Sequence, residues 1–384
     1  MRAFSGDRAF LIIVSLLVIG GFAIFSSATL GLLARENASI SQDLLVQGFL
    51  GIGFGVLALF AARGIPLRFI KRWAPWLYGA TLLATLLVFV PGIGHYSRGA
   101  IRWIDLGFTT VQPVEFLKIG VIIMLAWWFA KKARELRDLK QGLLPFLAIV
   151  GLPSLILLQQ PNTSAIFLIV MTGAVMYFAA GAPWRHTIAT IVLAVAVLGA
   201  IVISRPYVLE RVTTFINPAS DPLNTSYQLQ QSLIAIGSGQ LFGRGFGQSV
   251  EKFNYLPEPD GDSVFAVFAE ETGFIGALFL LALFVGLAAR GITIAGESRD
   301  LFGGLIALGF SFMLVFQAFI NMGAMLGVIP LTGLPLPFVS HGGTALLSAL
   351  AMCGFILNVA AHRKSASSNR VSTILRASHS THRT

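Results

Sequence analysis

One carboxylate stands where general-base chemistry could be done. Asp262 immediately precedes the apolar run SVFAVFAEE and closes a glycine-dense polar stretch, so it falls where a chain re-enters an apolar helix. A carboxylate in a partly desolvated cleft holds its proton more tightly than in water and can take one from a substrate hydroxyl. Helix capping alone would also place an aspartate there, and Asp260 offers the same chemistry two residues earlier. Its position at the start of the helix favours Asp262.

A second constellation lies in QPVEFLKIG, where Pro113 marks a helix start and Glu115 and Lys118 follow at i and i+3. Each charge alone costs about 2.5 to 3.5 kcal/mol near a bilayer centre, which favours pairing. The pair either satisfies only itself or also faces a wet cavity and positions the reactive site. Upstream, SRGAIRWIDLGFTTVQP carries Arg98, Arg102 and Asp105 around Trp103. Arginine forks match phosphate oxygens, and interfacial anchoring explains the same residues.

The stretch from Tyr227 to Ile236 sets Leu229, Leu233 and Ile236 on one side, with Gln228, Gln231 and Ser232 on another. That is the pattern of a helix lying in a membrane interface, with Tyr227 and Gln228 near the candidate cleft. Gly237, Gly239, Gly243, Gly245 and Gly247 follow, with Arg244 among them. Such spacing either frees backbone N–H groups for an anion or simply makes a turn. From Asn321 to Ala345 the prolines and glycines forbid a regular helix, and irregular backbone at membrane depth must line a cavity or lie within protein. Ser340, Gly342 and Gly343 in this stretch are read as a re-entrant wall of the cleft.

The elements that must position these groups are transmembrane helices. With 384 residues, 55% hydrophobic and 11% charged, too few charges remain to cover a soluble surface. Apolar runs near the ~20 residues a span needs fall at 9–30, 44–62, 74–91, 113–130, 142–158, 163–181, 187–203, 263–289, 302–325 and 343–361. The reading is an all-α polytopic membrane protein of ten spans, with a single domain over 1–361. A large extracytoplasmic loop covers 204–262, a Pro/Gly-rich re-entrant segment precedes the tenth span, and 362–384 is a basic disordered cytoplasmic tail. The first apolar run exceeds a signal-peptide core and reads as an uncleaved span.

Most of the 27 Lys and Arg residues fall in the segments that a cytoplasmic N-terminus would place inside, so both termini read as cytoplasmic. The net charge of +10 follows these loops, and no basic stripe is interleaved with base-stacking aromatics, which argues against nucleic acid. The single cysteine, Cys353, forbids an intrachain disulfide and a cysteine metal cluster.

RGAIRWIDLG, QPVEFLK, FINPASDPLNTSYQLQQSLIAIGSGQLFGRGFGQS, YLPEPDGDSVFAVFAEE and IPLTGLPLPFVSHGGTA, in this order, resemble the SEDS proteins, FtsW and RodA among them. The resemblance covers nearly the whole chain. It implies a peptidoglycan glycosyltransferase in the bacterial cytoplasmic membrane that polymerises lipid II on the outer face, beside a class B penicillin-binding transpeptidase, other divisome proteins and membrane lipids. It places the family's essential aspartate on Asp262 and its intramembrane ion pair on Glu115 and Lys118. Leaving-group charge would then be met by Arg244 or Arg102, or by a divalent cation, Mg2+ or Mn2+. The chain departs from the family pattern at Val114, Asn162, Asp260-Gly261 and His341. A division role of the FtsW type is the leading expectation, with an elongation polymerase of the RodA type or a lipid II flippase as the alternatives.

Overall fold

The computed structural model describes residues 7–36, 46–97, 100–107, 109–217 and 225–362. Residues 363–384 of the expected tail, and Arg98, lie outside the described residues. A helix covers each of the ten apolar runs: α1 (Arg8–Glu36), α2 (Phe54–Gly64, entered through a π-helical turn at Val46–Gly53), α3 (Leu67–Leu86), α4 (Pro113–Lys131), α5 (Leu144–Gln159), α6 (Thr163–Ala179), α7 (Trp184–Ser204), and, after the long loop, α11 (Val264–Gly296), α12 (Leu301–Met325) and α13 (Gly343–Ala361). Eight of them are long and apolar enough to cross a membrane. The other two are α6, apolar but only 17 residues long, and α3, which carries Arg68, Lys71 and Arg72 in its first two turns.

Contacts between helix ends define two faces. At the basic end Arg290 pairs with Asp7, Asn358 Nδ2 donates to the carbonyls of Ala62 and Ile65, and Lys71 lies over the Phe302 ring. At the opposite end Arg102, Ser164, Asn321, Gln47 and Lys252 each reach to a different segment of the chain. The centre of the bundle is built by α12 and α13, in each of which 72% of the most apolar window is buried. In α7 that share is 11%, so nearly its whole surface is left for lipid.

Two connections carry more structure than their composition suggested. Between α3 and α4, β1 (Gly94–Ser97), β2 (Ala100–Asp105) and β3 (Thr110–Val111) form an antiparallel sheet in the order β1-β2-β3. The ladder satisfies backbone groups that a bare loop at the membrane end would leave unpaired. The long loop holds α8 (Pro206–Ile216), α9 (Thr225–Ser238) and the single turn α10 (Glu251–Asn254). The expectation for α9 is corrected: its buried stripe is Ser226, Leu229, Ser232 and Ala235, while Leu233 and Ile234 point outward. Ser226, Ser232 and Ala235 let α9 pack closely on α11, with Leu229 the one large apolar residue in the stripe. Residues 326–342 contain no regular helix or strand, as expected of a re-entrant segment.

Candidate active site

The N-cap of α11 is Ser263, which makes no side-chain cap bond, so Asp262 lies one residue outside the helix and capping does not account for it. The run Asp260-Gly261-Asp262 is instead fastened to the re-entrant segment and to α12. Asn321 Nδ2 donates to the Asp262 carbonyl at 2.8 Å and to the Leu334 carbonyl at 2.8 Å. Ser340 Oγ donates to the Gly261 carbonyl at 2.7 Å, and the His341 amide donates to the Asp260 carbonyl at 2.7 Å. On the other side Gln228 Nε2 donates to Ser263 Oγ at 3.0 Å, bringing α9 to the same corner. Tyr227 is half-buried on α9 beside it.

Gly333, at φ +69°, shows what faces the Asp262 carboxylate. A Cβ built there would lie 3.4 Å from Asp262 Oδ2 and 3.5 and 3.6 Å from the two terminal nitrogens of Arg211. The carboxylate and that guanidinium therefore converge on Gly333, where any side chain would contact both. Arg102 joins them from β2, its Nε and Nη2 donating to the carbonyls of Gln160 and Pro161 at 3.0 and 2.5 Å. Burial lowers the Arg102 pKa, and the Arg211 charge adds to that; Tyr207 and Asp262 oppose it. Arginine stays cationic at any physiological pH. The corner thus presents one carboxylate and two guanidinium groups, suited to taking a proton beside a multiply charged anion. Among the described residues no group of three or more His, Cys, Asp or Glu is arranged to hold a metal ion.

Arg211 and Tyr207 were missed in the sequence. Both lie on α8, a helix inside what read as an unstructured loop. The available signal was a cation, Arg211, in the same large loop that ends at Asp262.

Glu115 and Lys118 form the expected pair, Nζ to Oε2 at 2.8 Å, with both side chains almost fully buried. Ser348 Oγ donates to Glu115 at 2.9 Å and Lys118 donates to Gln317 Oε1 at 3.0 Å. The pair shares a small cavity with Gln317, Phe338, Ser340 and Ser348. From it a chain of polar contacts runs outward: Gln317 Nε2 to the Pro335 carbonyl at 2.8 Å, the next residue's amide, Leu336, to Ser340 Oγ at 2.8 Å, and Ser340 to Gly261. The ion pair is thus a buttress beneath the segment that holds Asp262. Gly342, N-cap of α13, donates its amide to Gln47 Oε1 at 3.1 Å, and Gly343 begins that helix.

The glycine turn does different work from an anion cradle. Within α11, Gly273 breaks the helix at φ +70°, ψ −169°. Residues 240–245 fill the break: Phe274 and Ile275 amides donate to Gln240 and Leu241 carbonyls, while Arg244 and Gly245 amides donate to Glu270 and Glu271 carbonyls. A Cβ at Gly243 would come within 2.1 Å of the Glu271 carbonyl oxygen, which is why glycine is needed there. The Arg244 side chain pairs with Glu270 at 3.4 Å, eight residues along α11 from Asp262, about 12 Å deeper. Beside it is an ion pair that the spacing gave no hint of. Lys252 Nζ meets Glu271 Oε1 at 2.6 Å, both fully buried, with Ser27 of α1 bonded to each.

Asp262 precedes the first residue of α11, at the end of that helix opposite Arg290, which pairs with Asp7 at the basic face.

The family model for FtsW, RodA and SpoVE, described as "Cell cycle protein", matches residues 7–365. The chain belongs to the FtsW/RodA/SpoVE family. Relatives within it include stage V sporulation protein E of Bacillus subtilis, 36% identical over 354 residues, covering 92% of this chain and 96% of that one. A protein named "Probable peptidoglycan glycosyltransferase FtsW" from a Geobacter species is 34% identical over 319 residues, 83% of this chain and 85% of its own. Among solved structures, a chain from work on a peptidoglycan synthase complex that coordinates polymerization and crosslinking superposes with TM-score 0.76 at 30% identity, over 93% of this chain and 98% of that one. The rod shape determining protein RodA of Thermus thermophilus gives 0.68 at 30% identity, over 94% and 99%. This FtsW/RodA/SpoVE member therefore shares the fold of its solved relatives over the 93% and 94% of the chain that they cover.

Proposed function

We propose that this chain is a peptidoglycan glycosyltransferase of the FtsW type, polymerising lipid II on the outer face of the bacterial cytoplasmic membrane with both termini inside. The observation that carries the mechanism is the convergence of Asp262 and Arg211 on Gly333, where one Cβ position would touch both side chains. Asp262 takes the proton from the acceptor GlcNAc 4-hydroxyl as that oxygen attacks the anomeric carbon of the donor MurNAc. The carbon–oxygen bond to undecaprenyl pyrophosphate breaks on the opposite face, inverting the centre. Arg211 and Arg102 meet the charge that develops on the departing diphosphate, where fixed cations act most strongly on a transition state. A site beside the outer end of an apolar helix suits this substrate, whose diphosphate sits between a lipid tail and a sugar.

The names of the FtsW relatives support the division role, and the peptidoglycan synthase complex supports a class B penicillin-binding protein as partner. Other divisome proteins are assigned on the same division reading. An aspartate-to-alanine mutant of Thermus thermophilus RodA superposes on this chain with TM-score 0.70, so loss of one aspartate leaves that fold standing.

The test is purified protein in detergent or liposomes with lipid II, with and without its cognate transpeptidase. Glycan chains in the presence of the partner are the expected product. Lipid II that moves between leaflets but is never polymerised, under conditions where a related polymerase makes glycan, would leave the flippase reading in its place. Depletion in cells separates the roles: filaments for division, rounded cells for elongation.

A further inference from the structure

The side chain of His341 reaches the Asp262 run through Asp260. Its Nδ1 lies 3.0 Å from Asp260 Oδ2, while its amide holds the carbonyl of the same residue at 2.7 Å. Asp260 is thereby gripped at both its main chain and its side chain, two residues from the base. The imidazole is itself held in place. Phe25 of α1 packs edge-on against it with centroids 5.6 Å apart. Gln47, buried, bonds both neighbours of His341, its Nε2 donating to the Ser340 carbonyl at 3.2 Å and its Oε1 accepting from the Gly342 amide at 3.1 Å. The His341 side chain remains about one-third exposed, whereas that of Asp260 is 7% exposed, so the contact is accessible from the histidine side.

We propose that His341 is a positioning residue: through Asp260 it fixes the three-residue run that aims the Asp262 carboxylate at the acceptor hydroxyl. The proposal rests on the assignment of Asp262 as the base. Its physical content is orientation, since a reacting group displaced by about 1 Å can lose on the order of 100-fold in rate without losing substrate affinity.

The experiment compares steady-state lipid II polymerisation by the full-length protein with its partner for His341→Phe, Asp260→Asn and the double variant, with melting temperature measured for each. Either single change should lower kcat by roughly ten- to a hundred-fold with KM within about two-fold, and the double variant should be no slower than the worse single one. His341→Gln, which keeps a hydrogen-bond donor and serves if the phenylalanine variant does not fold, should recover most of kcat. Losses that multiply in the double variant, a rise in KM with kcat intact, or wild-type kinetics throughout would each overturn the role. Asp262→Asn run in parallel separates the two readings. Full turnover by that variant removes the base and the positioning role with it; an inactive Asp262→Asn beside wild-type His341 and Asp260 variants removes only the latter.

Discussion

The two guanidinium-bearing and carboxylate-bearing walls of the site are held in opposite ways. Asp262 belongs to a wall stitched to the centre of the bundle through Asn321, Ser340 and His341, with the Glu115–Lys118 pair beneath it. Arg211 belongs to α8, which follows α7, the span with the smallest buried share among the eight. A base must be aimed to a fraction of an ångström, and dense polar fixation does that. A cation that meets a bulky lipid diphosphate works through longer-range electrostatics and tolerates a looser mount.

If the fixed wall depends on its buttress, breaking the ion pair should have the largest effect on stability. Lys118→Met leaves the Glu115 charge uncompensated and should lower unfolding free energy by about 3 to 5 kcal/mol, whereas Glu115→Gln with Lys118→Met should recover much of it. Thermal unfolding in detergent reads both, and single variants as stable as the parent would show that the pair is no buttress. Lys252→Met at the second buried pair should behave likewise.

Arg211→Ala sharpens the contrast from the loose side. It should reduce kcat by on the order of 100-fold while leaving the melting temperature in place, because the side chain acts on the transition state and not on packing. A large drop in melting temperature would place α8 in the core after all. Asn321→Ala on the fixed wall should do both, lowering stability by roughly 1 to 3 kcal/mol as two carbonyls lose their donor, with activity falling alongside.

The smallest effect is expected at Glu251, outside both walls. Burial first, and then the Glu270 charge, raise its pKa above the ordinary carboxyl value. The folded chain therefore holds this proton more tightly than the unfolded chain does. Stability from the group is present at low pH and is lost as pH rises from the ordinary value through the raised one. Glu251→Gln should raise the melting temperature slightly at pH 7 and lose that advantage in acid; an equal shift at both pH values would contradict it.

What could be read in the sequence was whatever depends on near neighbours in the chain. Hydrophobic length gave the ten helices, Pro113 gave the start of α4, and i, i+3 spacing gave the Glu115–Lys118 pair. What could not be read depends on segments meeting in space. Lys252 and Glu271 are 19 residues apart and need the glycine turn to enter the break at Gly273 before they touch. The same turn takes Arg244 to Glu270, away from the role its glycines suggested. Arg211 and Asp262, 51 positions apart in the chain, converge at Gly333 of the re-entrant segment. Asp262 was found from its place before an apolar helix, yet the reason it is not a cap emerged only from the Ser263 boundary.

The central claim is that Asp262 is the base, and Asp262→Asn tests it most directly because it keeps the size of the side chain and removes the proton acceptor. Wild-type and variant protein, each with partner and lipid II, would be compared for glycan yield, with lipid II binding and melting temperature measured on the same samples. The expected result is a fall in polymerisation of about 100-fold or more with binding and melting unchanged. Glycan made by the variant at the wild-type rate would contradict the account.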